Sequence, residues 1–230
     1  MFFPMTTTAL AEELLLLAYD DKSGKALGSR IGLDLGMAAA VLVDLALANR
    51  IAFDDGSIVV TDPTPTGEPI ADQVLARVAA DTPHTPASWV QRLRHGLRDR
   101  ALADLCGRGV MRDVDETAMG GFVHVHRYPA VDPSVEAGIR GRLADALTGS
   151  ATPDERTAAL ATLVAAIRME PRLGLAGREA AEVRQRLAEI GAGAGFGGGG
   201  SLDDSNVRPS VALVVEALTR AIDAALGTRA

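Results

Sequence analysis

The sequence predicts a mainly α-helical single domain, residues 1–230, built around one central apolar helix and carrying two short β-hairpins. Three observations predict it. Apolar residues recur at helical spacing along much of the chain. The run MAAAVLVDLALA (37–48) is apolar nearly all round, as expected of a buried helix. Two pairs of short β-rich runs flank turn residues.

Helices account for most of the predicted elements. Leucines at i, i+4 and i+7 predict a helix over residues 8–19, and the central helix follows over 33–49 with Asp44 as the only charge in its apolar run. A further amphipathic stretch has a predicted break near Gly96. The other predicted helices, including that stretch, span residues 70–80, 86–105, 133–147, 153–167, 178–190 and 208–227.

The predicted hairpins differ in their turns. The first pairs residues 51–53 with 58–60 around a turn that contains Asp-Gly. The second pairs residues 110–114 with 122–126, and its tip holds Met119 and two glycines.

A glycine-rich segment, residues 191–207, is expected to be a flexible loop that lets the last helix pack back on the domain. It contains a G-x-G-x-x-G pattern at Gly193, Gly195 and Gly198. A helix precedes the pattern, whereas a dinucleotide site requires a strand before it within a βαβ unit. The segment is therefore interpreted as a linker.

Charge and composition limit the partners. The formal net charge is −7, the chain has one cysteine, and no apolar run approaches the ~20 residues of a membrane span. We expect a cytoplasmic protein without disulfides. A negative chain binds phosphate groups only where it concentrates its cations locally, so no nucleic-acid partner is expected.

Catalytic and metal-binding patterns are absent from the sequence. His124 and His126 would share one face of a strand, but no third ligand is placed by spacing, and surface histidines are the expected interpretation. Cys106 is expected to be a small core thiol. No nucleophile elbow or zinc-protease motif occurs. The sequence therefore predicts no enzyme activity, no metal and no cofactor.

Residues 91–100 hold the strongest basic cluster of this acidic chain, opposed only by Asp99. If the stretch is helical, Arg94 and Arg98 stand one turn apart, with His95 beside them. Guanidinium groups that converge within a turn suit a phosphate, because each can donate two parallel hydrogen bonds. A solvated helix face is the alternative interpretation.

Four segments in their order resemble the Golgi phosphoprotein 3 family over about residues 8–225. They are LAEELLLLAYDDKSG (10–24), VLVDLALANRI (41–51), PTGEPIADQVL (65–75) and the helix at Trp89-Val90 that continues into LCGRGV (105–110). The resemblance implies a mainly helical, non-enzymatic peripheral membrane protein that binds the phosphatidylinositol 4-phosphate headgroup. Eukaryotic members also retain glycosyltransferases in the Golgi.

The resemblance also implies where the headgroup site lies. The family's later pair of arginines falls on His95 and Arg98, of which Arg98 matches and His95 departs, with Arg94 as a neighbouring substitute. The family's tryptophan falls near Ser29 and its other arginine near Ala38, and neither matches. Arg30 is the nearby cation that could compensate. The implied lipid headgroup residues are Arg98, His95, Arg94, Arg30 and Ser29.

In the family a hydrophobic hairpin contributes to membrane contact and oligomerisation. Here Met119 and Phe122, near the tip of the second predicted hairpin, are the candidate membrane contacts. Self-association through this hairpin, or a protein client, is a further expected partner.

Three hypotheses remain open at this stage. The first is a protein that binds an anionic phospholipid headgroup at a membrane surface. The second is a winged-helix-like nucleic-acid binder, since residues 41–60 place a helix before a hairpin. The third is a protein-interaction adaptor that has lost lipid binding. An enzyme with an unrecognised site is a more distant alternative.

Overall fold

The computed structural model describes residues 8–118, 123–173 and 179–191, together with Ala224. It confirms a mainly α-helical domain with two two-stranded antiparallel sheets in this part of the chain. The helices are α1 (Leu10–Leu17), α2 (Arg30–Leu47), α3 (Pro69–Ala80), α4 (Pro86–Leu93), α5 (Leu97–Gly107), α6 (Pro133–Thr148), α7 (Glu155–Ala166) and α8 (Ala180–Gly191). The strands are β1 (Ile51–Asp54), β2 (Ser57–Val60), β3 (Val114–Ala118) and β4 (Val123–Arg127).

Helix α2 lies at the centre, as its apolar run predicts. It packs against α1, α3, α4, α5 and α7, and 13 of its 18 residues are buried. A Cβ at Gly36 would lie 2.9 Å from Cγ2 of Ile167, so a side chain there would push away the residue that follows α7. The helix presents no continuous exposed face that could enter a DNA groove, which disfavours the winged-helix hypothesis.

Buried charges tie α1, α2 and α7 together. Arg156 of α7 places Nη1 2.8 Å from Oδ1 of Asp44 and Nε 3.4 Å from Oε1 of Glu13. Arg142 adds a second cation to Glu13, with Nη2 2.9 Å from the same oxygen. The other oxygen of Asp44 accepts a hydrogen bond from the Leu10 N–H, at 2.8 Å. The only charge in the apolar run of α2 thus anchors the start of α1.

The first hairpin is confirmed, with Ile51 opposite Val60 in its register. The prediction for the first strand of the second hairpin is wrong by four residues, because β3 begins at Val114 rather than at residue 110. Val110 instead donates its N–H to the Leu105 carbonyl at the end of α5, and Met111 forms an isolated bridge with Ala130. These contacts occupy residues 110 and 111, so the β3–β4 ladder starts further along.

Two predicted elements cannot be compared with the structure. The glycine-rich loop over 191–207 and the last helix over 208–227 lie outside the described residues, apart from Gly191, which ends α8, and Ala224. None of the described helices combines the length and the apolar composition that a bilayer crossing demands.

Replacing Arg156 with methionine tests the buried charge cluster. We expect the free energy of unfolding to fall by about 3 kcal/mol, because Glu13 and Asp44 would stay in the interior without one of their cations. Urea denaturation measures the change. The control Arg186→Met breaks the exposed pair with Glu189 and should cost less than about 0.5 kcal/mol. Equal losses in the two variants would contradict the assignment.

The same cluster makes stability depend on pH. Burial raises the pKa of Asp44 from its ordinary value of 3.8 to about 6, against the opposing charge of Arg156. The folded chain therefore holds this proton more tightly than the unfolded chain, so protonation of Asp44 stabilises the fold as the pH falls from about 7 towards 4. Over that window, the unfolding free energy of the wild type should rise relative to Asp44→Asn, by no more than about 3 kcal/mol. Urea titrations at a series of pH values measure this difference, and parallel curves would refute it.

Candidate functional site

The N-terminal end of α2 is where the central helix meets solvent. Ser29 caps the helix, its hydroxyl accepting a hydrogen bond from the Gly32 N–H at 3.2 Å. Arg30, the first residue of the helix, is exposed, and the first turn holds no acidic residue. The unpaired N–H groups and the helix dipole give such an end a partial positive charge, which favours anions.

The basic stretch predicted from the sequence is divided between two helices. Arg94 caps the C-terminus of α4, and Gly96 adopts a φ of +79° before α5 begins at Leu97. The predicted break near Gly96 is confirmed. The condition that would place Arg94 and Arg98 on one helix face is not met, because a left-handed glycine separates them.

Asp34 of α2 forms an ion pair with Arg98 of α5, and two further basic residues, Arg30 and His95, influence it electrostatically. Nη1 of Arg98 lies 3.3 Å from Oδ1 of Asp34, and the Arg98 side chain is only 11% exposed, against 24% for Asp34. Burial raises the pKa of Asp34 above its ordinary value, while the nearby charges of Arg98, Arg30 and His95 act in the opposite direction. We call these four residues, Arg30, Asp34, His95 and Arg98, the Asp34 cluster.

The basic residues of the Asp34 cluster differ in how exposed they are to solvent. Arg30 and His95 are exposed, whereas Arg98 lies deeper and is held by Asp34. Tyr19 completes the surroundings. Burial raises the pKa of its phenol, and the charges of Arg98 and Arg30 partly offset that effect. The ion pair of Arg98 with Asp34 joins the start of α5 to the start of α2, and the charge of Arg98 also acts on the pKa of Tyr19, after the end of α1.

The other two predicted headgroup residues have different places. Ser29 is a helix cap, and its hydroxyl is used within α2. Arg94 is half-buried and makes no ion pair with a described residue, and its Nε is buried without a hydrogen-bond partner in this part of the structure. Neither residue is seen to join the group around Asp34.

Sequence reasoning missed Asp34. This residue lies one helical turn after Arg30, a spacing that pairs opposite charges on a helix and could have identified it. Its contact with Arg98, by contrast, depends on how α5 packs beside α2.

The second hairpin carries its charges as pairs. Nδ1 of His126 lies 2.9 Å from Oδ1 of Asp113, and Nδ1 of His124 lies 2.9 Å from Oδ2 of Asp115. Arg127 pairs with Glu116 across the strands. The two histidines are 53% and 64% exposed, which confirms their interpretation as surface residues.

The tip of this hairpin is not described, so the candidate membrane contacts Met119 and Phe122 lie outside the described residues. In the part of the chain that the structure describes, no group of three or more His, Cys, Asp or Glu side chains could hold a metal ion.

A pair of tyrosines connects the hairpin to the Asp34 cluster. The rings of Tyr19 and Tyr128 meet edge to face, with centroids 5.7 Å apart, and Tyr128 stacks on His126 at 6.4 Å. The Tyr128 N–H donates to the Gly24 carbonyl at 3.0 Å. A Cβ at Gly24 would lie 2.4 Å from the Tyr128 nitrogen, and the φ of Gly24 is +61°, so this contact requires glycine.

A family model for Golgi phosphoprotein 3 (GPP34) matches residues 10–225, nearly the whole chain. The chain belongs to the Golgi phosphoprotein 3 family. A curated relative is vacuolar protein sorting-associated protein 74 of Eremothecium gossypii, 26% identical over 167 residues that cover 61% of this chain and 49% of the relative. The chain thus spans about half the length of the curated relative it matches.

Since the chain belongs to this family, the positions where it lacks the residues that the family resemblance implies can be compared with the structure. The resemblance places an arginine near position 38, but Ala38 of this Golgi phosphoprotein 3 family member is fully buried in α2 and cannot reach a ligand. Arg30 lies on the same helix at its solvent-exposed start.

Cys106 is partly buried, and burial raises the pKa of its thiol, the opposite of what a reactive cysteine needs.

The His126–Asp113 pair can be tested by titration. The hydrogen bond to Asp113 and its negative charge favour the imidazolium, so the pKa of His126 is raised above its ordinary value of 6.5. We expect Asp113→Asn to lower that pKa, as measured by NMR titration of the imidazole. Asp115→Asn removes a weaker influence and should lower it less. An equal effect of the two substitutions would show that the pairing is not as described.

Proposed function

We propose that this Golgi phosphoprotein 3 family member is a non-catalytic, cytoplasmic protein that binds an anionic phospholipid headgroup of the phosphatidylinositol 4-phosphate type at a membrane surface. One observation carries the proposal. Nη1 of Arg98, near the start of α5, lies 3.3 Å from Oδ1 of Asp34, which brings the basic segment at residues 95–98 to the end of α2 that carries the exposed Arg30.

The chemistry of this position suits a phosphate monoester. Arg30 and His95 are exposed and can approach an incoming anion, while Arg98 supplies positive charge beneath them. An arginine donates paired hydrogen bonds to phosphate oxygens, and the start of an 18-residue helix adds its dipole. These features act on the same small region, which makes it the best-supported anion site in the described chain.

The membrane side of the proposal rests on the neighbouring hairpin. A few arginines near an anionic surface contribute only ~1 kcal/mol each, so stable attachment needs a second contact. Met119 and Phe122 remain the proposed apolar contacts. The acidic side chains of β3 and the residue before it would oppose an anionic surface, but His126, His124 and Arg127 pair with them.

A second candidate function is an adaptor that binds a protein client and has lost lipid binding. Asp34 favours it, because this carboxylate already occupies the Arg98 guanidinium that a phosphate would use. Self-association through the second hairpin would fit either function. The name of the curated relative refers to vacuolar protein sorting, and a role in sorting membrane proteins is compatible with both proposals.

Vesicle binding tests the lipid proposal. The wild type should co-sediment with phosphatidylcholine vesicles that contain phosphatidylinositol 4-phosphate at low salt, and less so as salt is added. Arg30→Gln should weaken this binding about fivefold, because one guanidinium near the surface contributes ~1 kcal/mol. Adding Arg98→Gln should weaken it further.

The matched control is Arg77→Gln. Arg77 is an exposed arginine of α3 and makes no ion pair with a described residue, so the substitution changes net charge equally without touching the Asp34 cluster. Its binding should stay within about twofold of the wild type. Equal weakening by Arg77→Gln and Arg30→Gln would show non-specific attraction instead of a site. No binding by a folded wild type would favour the adaptor.

A further inference from the structure

An acidic residue at the centre of an anion site needs an explanation. Asp34 is the carboxylate that pairs with Arg98, its Oδ1 lying 3.3 Å from Nη1 of that arginine. We propose that Asp34 is a built-in counter-ion that holds Arg98 in position and competes with the phosphate group of a ligand, so that a phosphate monoester binds together with a proton. The inference rests on the proposed headgroup site and specifies how that site is regulated.

The contacts of Arg98 make Asp34 a competitor as well as a neighbour. The Arg98 side chain is 11% exposed and contacts Asp34 more closely than Asp99, whose Oδ1 is 3.9 Å from Arg98 Nε. Asp99 is 77% exposed, so water screens its charge. A phosphate oxygen that takes a hydrogen bond from this guanidinium must approach the carboxylate of Asp34, where two anions repel each other in a poorly solvated position.

The charged groups that face Asp34 come from every side of the cluster. Arg30 lies on its own helix, Arg98 and Asp99 on α5, and His95 in the connection from α4. Tyr19, after the end of α1, lies close enough to Asp34 for its pKa to be affected. Arg30, Arg98 and His95 are basic, and the other nearby carboxylate, Asp99, is exposed to water. Asp34 is therefore the principal negative charge in the path of a ligand.

The direction of the pH effect follows from this arrangement. Burial already raises the pKa of Asp34, and a bound phosphate, being a second anion nearby, would raise it further. Ligand binding would then take up a proton. At a pH well above the pKa of Asp34 the ionised carboxylate opposes binding, and at a lower pH the neutral form does not.

The test compares Asp34→Asn with the matched control Asp99→Asn. Both remove one negative charge beside Arg98, but only Asp34 lies within the cluster. Binding is measured with phosphatidylcholine vesicles that carry phosphatidylinositol 4-phosphate. At about pH 7.5 we expect Asp34→Asn to bind roughly tenfold more tightly than the wild type, and Asp99→Asn to bind within about twofold of it.

The pH profile separates competition from a structural effect. The lipid phosphate titrates with either protein, so its own contribution cancels in the ratio of the Asp34→Asn affinity to the wild-type affinity. That ratio should fall towards one as the pH is lowered from about 7.5 through the raised pKa of Asp34, because the wild-type carboxylate loses its charge there. Soluble glycerophosphate, measured in parallel, distinguishes a free phosphate from a membrane headgroup as the ligand source.

Every outcome decides between the two proposals. If the wild type binds through Arg30 but Asp34→Asn binds no more tightly, or the ratio does not change with pH, the counter-ion role fails and the lipid site stands. If the Asp34→Asn variant binds and the wild type does not, the result supports the counter-ion role and shows that Asp34 prevents binding in the wild type. If neither protein binds, both proposals fail.

A measurement on the wild type tests the same coupling even if the Asp34→Asn variant does not fold. The carboxyl carbon of Asp34 can be followed by carbon-13 NMR across the same pH range, with and without glycerophosphate. The apparent pKa should rise when the ligand is added. An unchanged titration at saturating ligand would overturn the coupling of phosphate binding to the proton.

Discussion

The burial of α2 on nearly all of its sides is the constraint on which the rest of the structure depends. A helix surrounded by five others can offer solvent little beyond its ends, so its N-terminal end becomes a natural place for ligand chemistry. The same burial forces its one interior charge, Asp44, to be paired with Arg156. Central packing therefore decides what stabilises the domain and leaves the start of α2 as the place for the proposed ligand site.

The acidic balance of the chain limits where an anion could bind. Ten of the described arginines are paired with carboxylates, which reduces the positive charge open to an incoming anion: Arg50, Arg92, Arg98, Arg108, Arg127, Arg140, Arg142, Arg156, Arg184 and Arg186. In the proposed site, an anion would bind to accessible cations such as Arg30. It could also bind to a cation whose paired carboxylate it displaces, and Arg98, paired with Asp34, is such a cation.

Local patterns predicted the helices well and the contacts between distant segments poorly. Helical periodicity and Gly96 define α1, α2 and the division between α4 and α5, because these features depend on neighbouring residues. The β3 boundary depends on the bridge between Met111 and Ala130, which no local pattern reveals. Asp34 differs, because its spacing from Arg30 is a local signal; only its ion pair with Arg98 depends on the packing of α5 beside α2.

The contact between Tyr19 and Tyr128 positions the second hairpin relative to the end of α1. It sets the hairpin beside the Asp34 cluster, and the loop at Gly24 fixes that position through backbone hydrogen bonds that tolerate no side chain. In the proposed function, a headgroup contact and a hairpin contact act as two linked weak interactions, since forming the first places the second at high effective concentration. That linkage, more than the strength of either contact, would let an acidic protein attach reversibly to an anionic membrane.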